Sequence, residues 1–150
     1  MSDDGHYGLA VIGLVGSVFS PYYARARAKG DAHPEQHCAM NVVLYGPGGK
    51  RWAMTERGAG DLRRSGDELA IGPSSISGDA SGLTIKIDEV TVPWLSRLRG
   101  EIQISFDAIQ PQHLSLDDAG HHYWWPIAPM ARATVTMKQP ELRWQGHAYV

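Results

Sequence analysis

Seven histidines, five tryptophans and six tyrosines are the residues with most chemistry to offer here, and they are unevenly spread. Three of the Trp, two of the Tyr and three of the His fall between His121 and Val150. That stretch opens His121-His122-Tyr123-Trp124-Trp125-Pro126 and closes Trp144-Gln145-Gly146-His147-Ala148-Tyr149-Val150. Aromatic area beside titratable groups is what a site needs to hold a large apolar ligand and move a proton. The same residue types also fill cores, because Trp and Tyr bury large areas, and spacing alone leaves both readings open.

His122, Trp124 and Tyr149 are polar-tipped side chains in aromatic surroundings. A desolvated His or Tyr can orient an acid or a water. A carboxylic acid kept neutral by apolar walls can protonate an alkene, and aromatic faces stabilise the cation that results. The acids of this sequence answer that need poorly. Glu56 precedes Arg57 and reads as a rim ion pair or turn, with a buried catalytic acid as the sharper alternative. Asp88 and Glu89 lie where a strand pattern shifts phase, a place where polar residues are usually solvated. Tyr22 and Tyr23 follow a proline and either line a cavity mouth or simply pack.

Other chemistries find less support. His33 and His37 are four apart, but Pro34 argues against the helix that would align them, and His121 and His122 point to opposite faces of a strand. No HExxH or paired-cysteine spacing exists, so no metal site is expected. Gly46-Pro47-Gly48-Gly49 lacks the Lys-Ser/Thr ending of a phosphate loop and reads as a hairpin turn. There is no Gly-x-Ser-x-Gly elbow, and nothing beside Cys38 marks it as a nucleophile.

These groups must be positioned by strands. A length of 150 residues with 43% apolar and 20% charged content fits one soluble globular domain. The net charge of -2 gives no reason to expect nucleic acid. One cysteine excludes an internal disulfide and fits a reducing compartment. The apolar run Gly8–Phe19 is preceded by Asp3 and Asp4 and is too short to span a bilayer, so it reads as a buried strand rather than a targeting segment. Ser20–Tyr23 reads as a turn, Ala24–Lys29 as a short helical stretch, and Arg57–Glu68 as loop. Cys38–Tyr45 and Arg51–Glu56 make a hairpin, with Trp52 and Met54 on one face and Arg51, Ala53 and Thr55 on the other. Leu83–Asp88, Leu98–Phe106, Ala133–Met137 and Leu142–Val150 alternate with period two. At Glu89–Val92 the alternation shifts by one position, which a β-bulge or bend would produce. No stretch has sustained helical periodicity. The expected fold is therefore all-β, a barrel or sandwich of antiparallel strands forming one unit over residues 1–150.

Four blocks together resemble a known family. Val15-Gly16-Ser17-Val18-Phe19-Ser20-Pro21-Tyr22-Tyr23, His37-Cys38-Ala39-Met40-Asn41-Val42, Arg51-Trp52-Ala53-Met54-Thr55-Glu56-Arg57-Gly58 and Trp124-Trp125-Pro126-Ile127-Ala128-Pro129 are similar to segments of the carotenoid 1,2-hydratases (hydroxyneurosporene synthases). The resemblance runs from about Gly8 to Val150, and covers only the N-terminal portion of that longer family. It implies a lipocalin-like fold, here an incomplete part of a two-barrel architecture. It also implies addition of water across the terminal C1=C2 bond of lycopene- or neurosporene-type carotenoids, with no cofactor and no metal.

Carried over by position, the resemblance assigns catalytic roles to His122, Trp124 and Tyr149, and places the proton-donating Asp two residues after Tyr149, just past Val150. Tyr22, Tyr23, Trp125, Trp144 and His147 are the expected substrate-binding residues. The expected partner is an acyclic carotenoid. Peripheral membrane contact and self-association through the exposed edge of the last strand, with Trp144, Ala148 and Val150 uncovered, are further expectations. The expected location is cytoplasmic or on the membrane surface. Two functions stay open: a hydratase inactive as these residues alone, or a non-catalytic lipocalin-like module that binds an isoprenoid or lipid.

Overall fold

The computed structural model describes all residues, Met1–Val150. Two antiparallel sheets face one another across a shared core. In the smaller sheet, β1 (Gly8–Val15) pairs along its length with β2 (Cys38–Gly46), Gly8 opposite Tyr45 and Val15 opposite Cys38. β3 (Gly49–Ala53) returns beside β2, and β4 (Glu56–Arg57) pairs with the start of β2, Arg57 opposite Cys38 and Glu56 opposite Ala39. The turn at Pro47-Gly48 closes with Gly49 at φ +94°, a left-handed value that glycine adopts without a Cβ clash.

The larger sheet holds seven strands: β5 (Leu62–Arg64), β6 (Glu68–Ile71), β7 (Ser74–Gly78), β8 (Gly82–Val90), β9 (Arg97–Ser105), β12 (Ala131–Gln139) and β13 (Glu141–Ala148). Their order in the sheet runs β13-β12-β9-β8-β7-β6-β5. The remaining pair, β10 (Leu114–Ser115) and β11 (Tyr123–Trp124), forms a separate hairpin between β9 and β12 in sequence. The all-β expectation holds. The sheets do not close into a barrel by continuous pairing; the one strand-like contact between them is the bridge from Trp52 to Val92.

Period-two alternation builds the core. Met40, Val42 and Leu44 project from β2, Ile85 and Ile87 from β8, Ile102 and Ile104 from β9, and Ala131, Ala133, Val135 and Met137 from β12. Trp144, Ala148 and Val150 pack against this cluster, so they are not uncovered as expected. The free edge of β13 is also partly taken: Asp3 N donates to Gln145 O (3.0 Å) and His147 N to Met1 O (3.0 Å). The N-terminal residues thus pair with the strand whose edge was expected to be open.

Several local expectations are corrected. Ser20–Tyr23 is the start of a helix, α1 (Pro21–Ala28), because the Ser20 hydroxyl accepts from Tyr23 N (3.0 Å) and Pro21 occupies the first turn, where no N–H is needed. β3 keeps the expected division of faces: Ala53 is buried, while Trp52 faces outward and donates to Asn41 Oδ1 (2.8 Å). The stretch expected to be loop after Glu56 contains β4 and β5.

The phase slip near Glu89 is the most instructive correction. β8 and β9 stay in unbroken register from Gly82–Ser105 to Val90–Arg97. Ile85, Ile87, Glu89 and Thr91 all face inward, while Val90 and Val92 face out. No bulge is present; polar residues occupy the inner face and apolar ones the outer face at this end of the strand.

Candidate active site

The β10–β11 hairpin, with His122 in its turn and Trp124 in its second strand, is secured by the fold from both sides. Leu114 pairs with Trp124 and Ser115 with Tyr123. The turn between them uses Asp117 twice: its carboxylate accepts from the His121 amide (2.8 Å) and from Nδ1 of His122. With Nδ1 engaged by Asp117, Nε2 is the ring nitrogen left for another partner. These hydrogen bonds, that of His122 first, hold the Asp117 carboxyl below its ordinary value.

Beyond the hairpin, Gln110 N donates to Ile127 O (2.8 Å), and Ala128 and Val150 exchange backbone hydrogen bonds (2.9 and 3.1 Å). The second exchange seats the end of β13 beside the hairpin. As a result the Trp124 and Tyr149 rings stack, centroids 6.3 Å apart and 22° between planes. The two aromatic residues were joined in the sequence reading only by resemblance; here backbone pairing brings them together.

Trp125 points the other way. Its indole Nε1 donates to Gln110 O (2.5 Å), and its ring borders a cavity of about 650 Å³ between the sheets. Val15 from β1, Leu69, Ile76 and Leu83 from β6 to β8, and Phe106 complete the apolar part of the wall. Polar residues from Arg64 to Glu68, with Asp79, stand at the rim. Neighbouring tryptophans therefore present one ring to the cavity and one to Tyr149.

The other expected binding residues do not gather at this place. Trp144 packs against the core, with its indole N–H buried and unpartnered. His147 is exposed, 3.9 Å from the Asp3 carboxylate, and Tyr22 is exposed on α1. Tyr23 lies against His37, centroids 5.1 Å apart.

Two acids named in the sequence take partners that their spacing did not show. Glu89, only 1% exposed, accepts from Arg57 Nη2 (2.8 Å) and Ser74 Oγ (2.7 Å). On the opposite face, Glu56 accepts from His37 Nδ1 (2.6 Å). Burial pushes the Glu56 carboxyl up, but hydrogen bonding with Ser20 and His37 outweighs it and leaves the value low. Glu56 is thus an ionised partner of His37, not a neutral acid. The alternation of β8 could have exposed Glu89, had it been continued through the acid instead of broken there. No three His, Cys, Asp or Glu side chains converge in a metal-ligating arrangement.

An antiparallel β protein with a partly apolar cleft between its sheets, and with a stacked Trp–Tyr pair and a His–Asp pair that do not line that cleft, is the class that this fold and geometry define. The chain belongs to the carotenoid hydratase CrtC family, whose description matches residues 11–150. It is 51% identical over 150 residues to an acyclic carotenoid 1,2-hydratase of Thiocapsa roseopersicina, covering 100% of this chain and 37% of that protein. A protein of the same description from Rubrivivax gelatinosus is 51% identical over 152 residues, with the same coverage of 100% and 37%. One from Cereibacter sphaeroides is 42% identical over 140 residues, covering 93% of this chain and 48% of that protein. The chain spans less than half the length of these curated relatives. No solved structure matches it.

Proposed function

We propose that these residues form the N-terminal part of an enzyme that adds water across the terminal C1=C2 bond of an acyclic carotenoid of the lycopene or neurosporene type. The observation that carries this reading is the identity of 51% along the whole chain to proteins described as acyclic carotenoid 1,2-hydratases. A proton delivered to C2 leaves a tertiary cation at C1; water adds to C1 and loses a proton, so hydrogen and oxygen balance with water as sole co-reactant. His122, oriented by Asp117, positions the acid or accepts the proton released by water. Trp124, stacked on Tyr149, offers an aromatic face to the cation, and Tyr149 orients the acid or the water. The cleft beside Trp125 takes the apolar body of the polyene. No metal or organic cofactor is needed for this chemistry. The chain alone is inactive in this reading, because it represents 37% of the relatives' length.

The cavity itself favours a second reading, in which the chain binds a linear isoprenoid without transforming it. One experiment separates the two. The chain replaces the matching segment of the Thiocapsa roseopersicina relative, and lycopene is assayed for a product heavier by one water. A chimera that hydrates lycopene, and that loses this on His122→Ala, supports the enzyme. A folded chimera that binds lycopene but gives no product, beside an active parent, supports the binder.

No helix is long and apolar enough to cross a membrane. We propose peripheral contact with a bilayer, because an acyclic carotenoid would partition there.

A further inference from the structure

Helix α1 has no core to explain it. None of Pro21–Ala28 is buried, and the helix has only eight residues, a length that is marginal without tertiary packing. It is fastened at its first turn alone. Ser20, buried, caps Tyr23 N at 3.0 Å, and the Tyr23 ring lies against His37, which Glu56 holds from behind at 2.6 Å.

What this fastening presents outward is specific. Val18, Phe19 and Tyr22 are 75%, 59% and 72% exposed, three apolar or aromatic side chains within five residues. Immediately after them come Arg25, Arg27 and Lys29, with no acidic residue from Ser17 to Gly30. The next acid is Asp31, which is within 3.2 Å of His33, and Glu56 is engaged by His37. In a chain of net charge -2 the three cations are a local excess. An apolar and aromatic tip bordered by cations is complementary to an anionic lipid surface: rings and aliphatic groups enter the interface, and basic residues meet the headgroups.

We propose that Val18, Phe19 and Tyr22, with Arg25, Arg27 and Lys29, dock this protein on an anionic bilayer. The docking stands apart from the hydratase reading and rests on it only for its purpose, which is access to a polyene dissolved in lipid. A separate exposed pair, Trp94 and Leu95 in the β8–β9 turn, serves as the internal control.

The test uses carotenoid-free vesicles, of phosphatidylcholine alone and with phosphatidylglycerol, in co-flotation with the chain. Binding is expected to the anionic vesicles and to weaken with salt, since exposed charges are screened. Arg25→Gln/Arg27→Gln/Lys29→Gln should weaken it about a hundredfold, at the usual contribution of each basic residue near an anionic surface. Val18→Ser/Phe19→Ser should weaken it about tenfold or more, and Trp94→Ser/Leu95→Ser should leave it unchanged. All these side chains are exposed, and unchanged circular dichroism checks the fold. Equal loss from the Trp94/Leu95 variant, binding indifferent to lipid charge, or no binding at all overturns the proposal. So does binding by the chain that vanishes in the relative-length chimera, which would mean that the surface is covered by polypeptide. Because no carotenoid is present, none of these outcomes bears on hydration.

Discussion

Arg57 Nη2 lies 2.8 Å from Glu89 Oε2, and this ion pair joins the two sheets from the inside. β4 belongs to the small sheet and β8 to the large one, so the pair is a polar rivet through an otherwise apolar contact. Ser74 occupies the second carboxylate oxygen at 2.7 Å, which leaves neither oxygen without a donor.

Removing the cation should be costly. Arg57→Met leaves a buried carboxylate without its partner and should destabilise the chain by about 3–5 kcal/mol. Arg57→Met/Glu89→Met should cost much less than the sum of the single changes, since no charge is stranded. Urea denaturation of the four proteins decides it; additive losses would show that the pair is not coupled.

The Glu56–His37 contact predicts an acid limb in the stability profile. The folded-state carboxyl titrates below its unfolded-state value. Its contribution is therefore complete above the ordinary glutamate range. It starts to be lost below about pH 4.3 and continues to fall through the lower folded value. Glu56→Gln should flatten this limb by lowering stability at neutral pH, where the carboxylate's contribution is complete. A variant profile parallel to the wild type at every pH would contradict the assignment.

Hydration should depend on the hairpin. In the chimera with the Thiocapsa roseopersicina relative, His122→Ala should lower the rate by about 100-fold or more, as loss of a positioned acid–base group does. Asp117→Asn should reproduce part of that loss by freeing the imidazole, and Trp124→Leu should slow the reaction with polyene still bound. Wild-type rates in all three would remove His122 and Trp124 from the chemistry.

Filling the cavity should separate binding from folding. Ile76→Trp places a larger side chain into the space bordered by Leu69, Leu83 and Trp125. Affinity for a linear polyene should fall at least about tenfold, equal to ~1.4 kcal/mol, while circular dichroism is unchanged. Unaltered affinity would place the polyene elsewhere.

The β13 edge offers the last prediction. A Cβ built at Gly146 falls 1.9 Å from the Met1 carbonyl oxygen. Gly146→Val should therefore expel the N-terminal residues, deprotect the His147 amide in hydrogen exchange and promote self-association through the bared edge. A variant that keeps its His147 protection would show that the strap tolerates a side chain.

The sheet strands were readable because their alternation reports the burial of one face directly. β2, β8, β9, β12 and β13 carry apolar residues or glycine at alternate positions along most of their length. What escaped was polar residues used inside. Glu89 and Thr91 continue the inner face of β8, and Val90 and Val92 the outer, so a reading that equates apolar with buried reports a slip where the backbone has none. The helix start failed for a related reason: Ser-Pro marks a turn in sequence, and only the Tyr23 amide reaching Ser20 shows it to be a cap. At the site, Trp124 and Tyr149 were identified together by resemblance, but Asp117 was not, since nothing in the spacing reveals that a turn folds it onto His122.

Consecutive residues of β4 carry the two outcomes of this folding. Glu56 turns outward to His37, and Arg57 turns inward to Glu89. A slip of β4 by one residue would exchange the faces. Glu56 would then meet the buried Glu89, and Arg57 would meet the imidazole, replacing both attractions with conflicts at once. Two adjacent side chains of opposite sign thus act as a parity check on the pairing of β4. A chain that reaches this geometry has also verified the alignment of the strands on either side of its cleft.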